Sequence, residues 1–167
     1  HVIQVAIALF CLTLTAGCAP QASRGSAPAQ AEHQRSRVSA ADDALLEDLS
    51  KRSFLFFWEH ADPTTGIVRD RARTNGTPVE GNARDVGSIA AVGFGLSGLC
   101  IAAERGWVSR AAAIDRTRTT LRFFATRIEQ QHGWYYHFIN LRTGAREWAS
   151  ELSSIDTTLC LSGALVA

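Results

Sequence analysis

Several features that mark common classes of protein are missing from this 167-residue sequence. Its 17 basic residues are balanced by 16 acidic ones, and no segment concentrates lysine or arginine. A surface that binds nucleic acid needs such a concentration to neutralise phosphates, so we expect no nucleic-acid partner. Hydrophobic residues make up 46% of the chain, enough to bury one modest core.

The sequence also lacks the motifs of several kinds of site. It has no Cys-x-x-Cys pair and no Gly-x-Ser-x-Gly elbow with a plausible catalytic triad. The glycines at 93–98 fall within a predicted helix, so they do not indicate a phosphate-binding loop. His132 and His137 have no cysteine or carboxylate at ligand spacing, and we expect neither a metal nor a cofactor.

Four cysteines do not indicate a disulfide scaffold in this chain. Cys11 lies in an N-terminal apolar run, and Cys18 comes directly after that run. Cys100 and Cys160 occupy apolar positions of predicted helices, where a thiol packs as a small hydrophobic side chain. We therefore predict two buried free cysteines, with a disulfide or a metal site as the alternatives.

The N-terminal segment resembles a lipoprotein signal peptide. An apolar run at 2–15 is too short to span a bilayer comfortably and leads into Leu-Thr-Ala-Gly-Cys at 14–18, although Thr15 departs from the usual Leu or Val. We predict a signal peptide at 1–17, a lipid on Cys18 and a disordered polar tether at 18–40, with the globular domain at 41–167. The protein would then be exported and anchored to a bacterial membrane, facing the periplasm or the cell exterior. A plain secretory signal or a hydrophobic first helix is the alternative.

The residues at both ends of the sequence are typical of segments from within a longer chain. The chain begins at His1, and its last residues run apolar without a helix stop signal. We expect a piece of a longer protein that is neither active nor well folded when isolated, because apolar helix faces would meet water.

Helical periodicity predicts four helices. The first runs from about 41 to 60 after a cap at Ser39; the second begins at Ile89 and ends before Gly106; the third follows Ser109; the fourth begins near Ser154. Their predicted apolar faces are Leu45, Leu46, Leu49, Phe54, Phe57 and Trp58 in the first, Ile114, Leu121, Phe124 and Ile128 in the third, and Ile155, Leu159, Leu161 or Ser162, and Leu165 in the fourth. We place Arg116, Arg118, Arg122 and Arg127 on the solvent side of the third.

Other segments connect these helices. Asp62-Pro63-Thr64-Thr65-Gly66 predicts a turn, and residues 70–85 form a polar loop long enough to suggest a function. A small β-hairpin is predicted near 133–148, with its turn at 141–144. Glycines inside the second helix imply close packing by a neighbouring helix, since each costs roughly 1 kcal/mol relative to alanine. Two helix-then-turn segments follow each other in the sequence, and this succession favours stacked helical hairpins.

Three carboxylates lie at or beside predicted helix–loop junctions, where a helical barrel would gather them: Asp70, Glu151 and Asp156. Asp156 also falls in the first turn of the fourth helix, where the helix dipole favours a negative charge, and this alone explains it equally well. Trp58, Tyr136 and His137 offer ring faces beside polar groups, as sugar sites do. The same three residues also suit an ordinary core.

The order of several strings resembles the bacterial glucoamylase-like family, which includes glycoside hydrolase family 144. These strings are SFLFFWE at 53–59, DP at 62–63, GIV at 66–68, DR at 70–71, SIAAVGFGL at 88–96, ERGWV at 104–108, YHF at 136–138 and SELSSIDT at 150–157. The resemblance covers most of the sequence from about residue 45 onward, and it is specific as a combination.

This resemblance implies an all-α fold, the N-terminal third of an (α/α)6 barrel. The family includes endo-β-1,2-glucanases, so it implies a glycoside hydrolase that acts on β-linked glucans. It also implies pocket positions that grip sugar hydroxyls or help to activate water, namely Asp70, Arg71, Tyr136, His137, Glu151 and Asp156. Glu151 and Asp156 are the catalytic candidates, Trp58 joins the substrate-binding candidates, and the general acid is expected beyond Ala167. By analogy with such barrels the reaction inverts the anomeric configuration.

Two other functions fit the same sequence. A non-catalytic lipoprotein on the same helical toroid would bind a glycan or a protein partner without proton-transfer groups. A lyase or epimerase would use Tyr136 or His137 as its base.

Overall fold

The computed structural model describes residues 38–167. The predicted signal peptide, lipidated Cys18 and the tether up to residue 37 lie outside the described residues. Within the described range, no helix has both the length and the apolar character that crossing a membrane requires.

Four α-helices dominate the described chain: α1 (Ala40–Glu59), α2 (Ile89–Glu104), α3 (Arg110–Thr126) and α4 (Ser154–Val166). Each begins after a serine whose hydroxyl accepts a hydrogen bond from a backbone N–H in the first turn, and these serines are Ser39, Ser88, Ser109 and Ser153. Such caps satisfy donors that a helix start leaves free. The four predicted helices are confirmed, and their starts agree with prediction to within one residue.

Helix α2 is the centre of the packing and contacts each of the other three helices. Its tightest contact is with α4, where Gly93 and Gly163 face each other. A Cβ atom on Gly93 would collide with the carbonyl group of Leu159, and one on Gly163 would collide with the backbone of Gly93. The close packing that the glycines of this helix predict is therefore confirmed at Gly93.

Four short strands sit between the helices: β1 (Val86–Ser88), β2 (Gln130–Gln131), β3 (Trp134–Tyr135) and β4 (Phe138–Asn140). β1 pairs with β4 in antiparallel register, with Gly87 opposite Ile139, and single bridges add Arg69 beside Gly87 and Arg146 beside Ile139. This small sheet connects the loop after α1 with the segment before α4. The sequence predicts the turn at 141–144 but not the pairing of β1 with β4.

A second hairpin joins β2 to β3 through His132 and Gly133, both at positive φ, 52° and 85°. This backbone suits a two-residue hairpin turn. Together with β4 and its turn, it occupies the region where the sequence predicts one small hairpin.

The core lies where α1, α2 and α3 meet the small sheet. Its largest fully buried apolar side chains come from the loop after α1, from α2, from β4 and from the turn that follows β4: Ile67, Ile89, Val92, Ile139 and Leu141. Each large side chain removed from water contributes roughly 1.5–3 kcal/mol. Cys160 is buried and Cys100 half-buried, and both are free thiols, as predicted.

The apolar face predicted for α4 is exposed in the described residues, as we expect for apolar helix faces of this piece. Ile155, Leu159, Leu161 and Leu165 are exposed, Ile155 at 71%, whereas the buried residues are Asp156, Thr157, Cys160 and Gly163. Two physical reasons account for the burial of the second face, which the sequence does not predict. The small side chains allow close approach to α2, and the Thr157 hydroxyl donates to the Ser153 carbonyl oxygen at 2.6 Å, so its burial leaves no polar group unpaired.

The predicted apolar faces of α1 and α3 are confirmed in part, since Phe57 and Trp58 of α1 and Phe124 of α3 pack against the core. Leu45, Leu46 and Leu49 of α1 are exposed, and Phe54 is the buried residue of that helix. In α3, Ile114 and Leu121 are exposed. Arg116 does not point to solvent: its guanidinium group lies 4.6 Å from the ring centre of Trp58, and burial lowers its pKa.

Candidate functional site

The segment before α4 runs antiparallel to residues 135–138 and brings two of the predicted site residues face to face. The backbone N–H of His137 donates to the carbonyl oxygen of Glu151 at 3.0 Å, and that of Ser153 donates to Tyr135 at 3.0 Å. Residues directly opposite in such a pair project their side chains to the same face. The His137 and Glu151 side chains are therefore neighbours although they are 14 positions apart in sequence.

The first turn of α4 adds Asp156 to this pair. The Asp156 backbone N–H donates to the cap hydroxyl of Ser153 at 3.1 Å, and the Thr157 hydroxyl accepts from the Tyr135 N–H at 3.0 Å. These bonds fix the start of the helix against β3. As a result, the Asp156 carboxylate lies 3.8 Å from Nδ1 of His137.

We call His137, Glu151 and Asp156 the His137 cluster. Nδ1 of His137 lies 3.0 Å from Oε1 of Glu151, and the Glu151 side chain is 67% exposed. The pKa of the Glu151 carboxyl lies below its usual value, because its own backbone N–H and His137 donate hydrogen bonds to it and the charges of His137 and Arg146 add to the effect. Glu151 is therefore a carboxylate at neutral pH.

Asp156 differs from Glu151 in its surroundings. Its side chain is only 9% exposed, and within residues 38–167 no side chain or backbone group donates a hydrogen bond to its carboxylate. Placed in the first turn of α4, the carboxylate also lies at the positive end of the helix dipole. No fully buried side-chain oxygen or nitrogen of the described residues lacks a partner, so the unpaired Asp156 oxygens reach the surface. Such an acceptor, next to a histidine, is suited to bind a hydroxyl group or a water molecule.

The His137 cluster also has the composition of a metal site. One ligand atom from each of the three residues lies within 4.8 Å of the others. Imidazole and carboxylate groups are ligands for several divalent ions. The sequence predicts no metal here, and that prediction remains to be tested by experiment.

A row of aromatic rings links Asp70 and Arg71 to the His137 cluster. The two side chains form an ion pair at 2.5 Å, and the Arg71 guanidinium group lies 5.4 Å from the ring centre of Trp148. The Trp148 ring contacts Phe138 at 4.9 Å, and Phe138 stacks on His137 at 3.8 Å. The predicted residues Asp70 and Arg71 are thus linked to the His137 cluster by a chain of side-chain contacts.

Tyr136 and Trp58 occupy a different environment. Tyr136 is buried in the core, and the guanidinium group of Arg146 lies 4.7 Å from its ring centre. Trp58 packs on Phe54 and on Arg116. For these two residues the geometry favours core packing, the alternative that the sequence leaves open.

The sequence does not predict a role for three residues of the site: Phe138, Arg146 and Trp148. Arg146 donates to the carbonyl oxygens of Ala149 at 2.6 Å and Ser150 at 2.5 Å, so it fixes the loop that precedes Glu151. A single basic residue in a loop carries no periodic signal, and these contacts appear only once the chain folds back on residues 135–138. The string Arg-Glu-Trp at 146–148, just before the resemblance string at 150–157, is the available sequence signal.

No family model matches the chain. Among curated proteins, an exo β-1,2-glucooligosaccharide sophorohydrolase (non-reducing end) from Parabacteroides distasonis is 28% identical over 103 residues, which are 62% of this chain and 13% of that protein.

Solved structures extend the comparison. An endo-β-1,2-glucanase from Chitinophaga pinensis, in complex with sophorotriose and glucose, gives a TM-score of 0.66 at 25% identity over 75% of this chain and 30% of that one. A glucoamylase-like protein from Bacteroides caccae gives 0.66 at 27% identity over 73% and 30%. The chain spans less than a third of the length of these relatives.

The comparison by sequence and the comparison by structure therefore find the same kind of protein. The resemblance to the glucoamylase-like family and the predicted all-α class are confirmed, because relatives found by sequence and by structure are glucan hydrolases or glucoamylase-like proteins. The chain is related to the endo-β-1,2-glucanases and glucoamylase-like proteins, and it adopts part of their (α/α)6 barrel.

Proposed function

We propose that the protein containing this chain is a glycoside hydrolase that acts on β-linked glucans, with β-1,2-glucan as its substrate. The observation that carries the proposal is the convergence of His137, Glu151 and Asp156 on a fold that resembles glucan hydrolases. Related proteins are a sophorohydrolase and an endo-β-1,2-glucanase, and both names describe cleavage of β-1,2-linked glucose.

The geometry supports different tasks for the three members of the His137 cluster. Glu151 is exposed and its pKa lies below the usual value, so it is better suited to accept hydrogen bonds than to protonate the leaving oxygen. Asp156 offers its free lone pairs to a sugar hydroxyl or to the attacking water. His137 orients Glu151 through the 3.0 Å contact and presents its ring beside the sugar.

Glu151 and Asp156 do not form an inverting acid–base pair between themselves. Inverting hydrolases hold their two carboxyl groups about 6.5–9.5 Å apart, to leave room for a water molecule, whereas the nearest oxygens here lie within 4.8 Å. Because the three side chains converge on one point, we infer that the His137 cluster acts on one face of the sugar. The opposing carboxyl group is expected in the part of the barrel that the relatives possess in addition to the region matched here.

We further propose that the protein is exported and lipid-anchored at Cys18. What supports this is the sequence pattern alone, the apolar run at 2–15 followed by small residues and Cys18. Metabolic labelling with a radioactive fatty acid tests it: wild type would be labelled and Cys18→Ser would not. Label retained in Cys18→Ser would reject the anchor.

The proposed activity is tested by measuring reducing-sugar release from linear β-1,2-, β-1,3- and α-linked glucans by the full-length protein. We expect activity on the β-1,2-glucan, and a loss of about 10²-fold or more in Asp156→Asn, as for removal of one preorganised polar group in an active site. Asp115→Asn, on the exposed face of α3, is the matched control and would keep wild-type activity. A wild type inert on all three glucans would reject the hydrolase, and one that binds them unchanged would establish the glycan-binding alternative.

A further inference from the structure

We propose that Trp148, together with Arg71, forms a sugar-stacking subsite next to the His137 cluster and binds a neighbouring glucose unit of the same β-glucan chain. The inference rests on the proposed function and extends it. Neither the sequence nor the resemblance assigns a role to Trp148.

Trp148 lies within reach of a disaccharide held at the His137 cluster. Its ring centre is 4.9 Å from that of Phe138, which in turn stacks on His137 at 3.8 Å. The rings thus form a row from the cluster toward Arg71 and Asp70. A glucan chain that has one unit at Asp156 would place the next unit along this row.

The orientation of Trp148 is fixed before any ligand binds. Its indole N–H donates to the backbone carbonyl of Asn82 at 3.1 Å, in the polar loop at 70–85. Trp148 and Ala149 adopt φ values of 52° and 49°, a left-handed backbone that residues with a side chain rarely adopt. Arg146 holds this backbone through its bond to the Ala149 carbonyl oxygen. Strained conformations that the surrounding structure maintains are concentrated at functional sites.

The ring remains accessible, since Trp148 is 37% exposed. A large aromatic face beside charged hydrogen-bonding groups suits a sugar, whose C–H face stacks while its hydroxyls need partners. The Arg71 guanidinium lies over one face of the ring, 5.4 Å from its centre, and pairs with Asp70, so a sugar stacked on the other face has a donor and an acceptor close by. The long polar loop at 70–85 thereby gains a function, because it positions both Arg71 and the Asn82 carbonyl group.

A purely structural role for Trp148 makes a different prediction. If the ring only fills space against Phe138, an aliphatic side chain of similar reach would replace it without loss of substrate binding. If the ring stacks on sugar, an aromatic side chain would be required. Trp148→Leu and Trp148→Phe therefore form a matched pair at one position, and both lose the indole N–H.

The kinetic test uses the full-length protein and linear β-1,2-glucan. We expect Trp148→Leu to raise KM by about tenfold with kcat within about twofold, and Trp148→Phe to keep KM within about threefold of wild type, since stacking contributes to ground-state and transition-state binding alike. Equal KM in wild type and Trp148→Leu would overturn the subsite. A KM raised equally in both variants, with a lowered melting temperature, would show a structural role and also overturn it.

A binding readout separates this inference from the hydrolase proposal. In protein labelled with 5-fluorotryptophan, the ¹⁹F resonance that disappears in Trp148→Phe belongs to Trp148, and we expect it to shift when a β-1,2-linked glucotriose is added. A shift in a protein without hydrolytic activity would support the subsite and reject the hydrolase. Hydrolysis without a shift would do the reverse, and absence of both would reject both.

Discussion

Gly93→Ala tests the contact on which the packing of this fold depends. A Cβ atom on Gly93 would approach the Leu159 carbonyl group and the Cα of Cys160, and these are backbone atoms that no rotamer change can move. Helices α2 and α4 would have to separate. Overpacking costs about 1–3 kcal/mol, and a clash with backbone atoms falls at the upper end of that range. Alanine regains about 1 kcal/mol of helix propensity, so we expect a net loss of about 2 kcal/mol.

Gly98→Ala, on the same helix, is the matched control. A Cβ atom there would lie 3.4 Å from a ring carbon of Phe54, an ordinary contact. This variant gains helix propensity without a clash and should be as stable as wild type or more stable by up to about 1 kcal/mol. Urea unfolding of the full-length protein, followed by far-ultraviolet circular dichroism, measures both changes. Equal free energies of unfolding for the two variants would refute the reasoning about the α2–α4 contact.

The remaining predictions concern acid stability, thiol reactivity, metal and exposed surface. Burial alone would raise the pKa of the Asp62 carboxyl, but hydrogen bonds from Thr64 outweigh that effect and hold the pKa below 3.8. The ionised carboxylate therefore stabilises the fold above about pH 4, and this contribution is lost as the pH falls through the lowered pKa. In Asp62→Asn, the free energy of unfolding measured in urea should depend less on pH over that acid range. Burial raises the pKa of the Cys160 thiol to about 12, so mass spectrometry after mild iodoacetamide treatment should find Cys160 unmodified in the native protein and labelled in urea; labelling of Cys160 without denaturant would contradict its burial. Glucan hydrolysis should survive dialysis against EDTA, and activity restored only by added metal would show that the His137 cluster binds an ion. The isolated 167-residue chain should bind the dye ANS strongly, because apolar residues of α4 such as Leu165 are exposed; a chain that does not bind ANS would contradict this.

Local signals account for the parts of the fold that the sequence predicts. Ser109 and Ser153 are capping residues at the start of apolar periodic segments, and both cap helices in the structure. Gly66 ends the turn after α1 with φ at 73°, a conformation that glycine adopts without a steric penalty. Information of this kind lies within a few residues, so it can be recognised without knowing the tertiary structure.

Burial in α4 shows where such reasoning stops. Ile155 and Leu159 form the more hydrophobic face, yet the face that contacts α2 carries Asp156, Cys160 and Gly163. The backbones approach closely at Gly163, and only small side chains fit there. Hydrophobicity by itself does not report that steric requirement.

The candidate site was partly predictable. The resemblance singles out His137, Glu151 and Asp156, and the structure brings these three together. It does not single out Trp148, whose contacts with Arg71 and Asn82 join segments more than 60 positions apart. Long-range contacts of that kind leave no periodic pattern in one sequence.

A crystal structure of the full-length protein with a β-1,2-linked glucotriose tests the central claim most directly. We expect sugar hydroxyls within hydrogen-bonding distance, about 2.7–3.2 Å, of the Asp156 carboxylate and of His137. We also expect an adjacent glucose ring against Trp148. An oligosaccharide bound elsewhere in the barrel, with the His137 cluster free of contacts to it, would contradict the account.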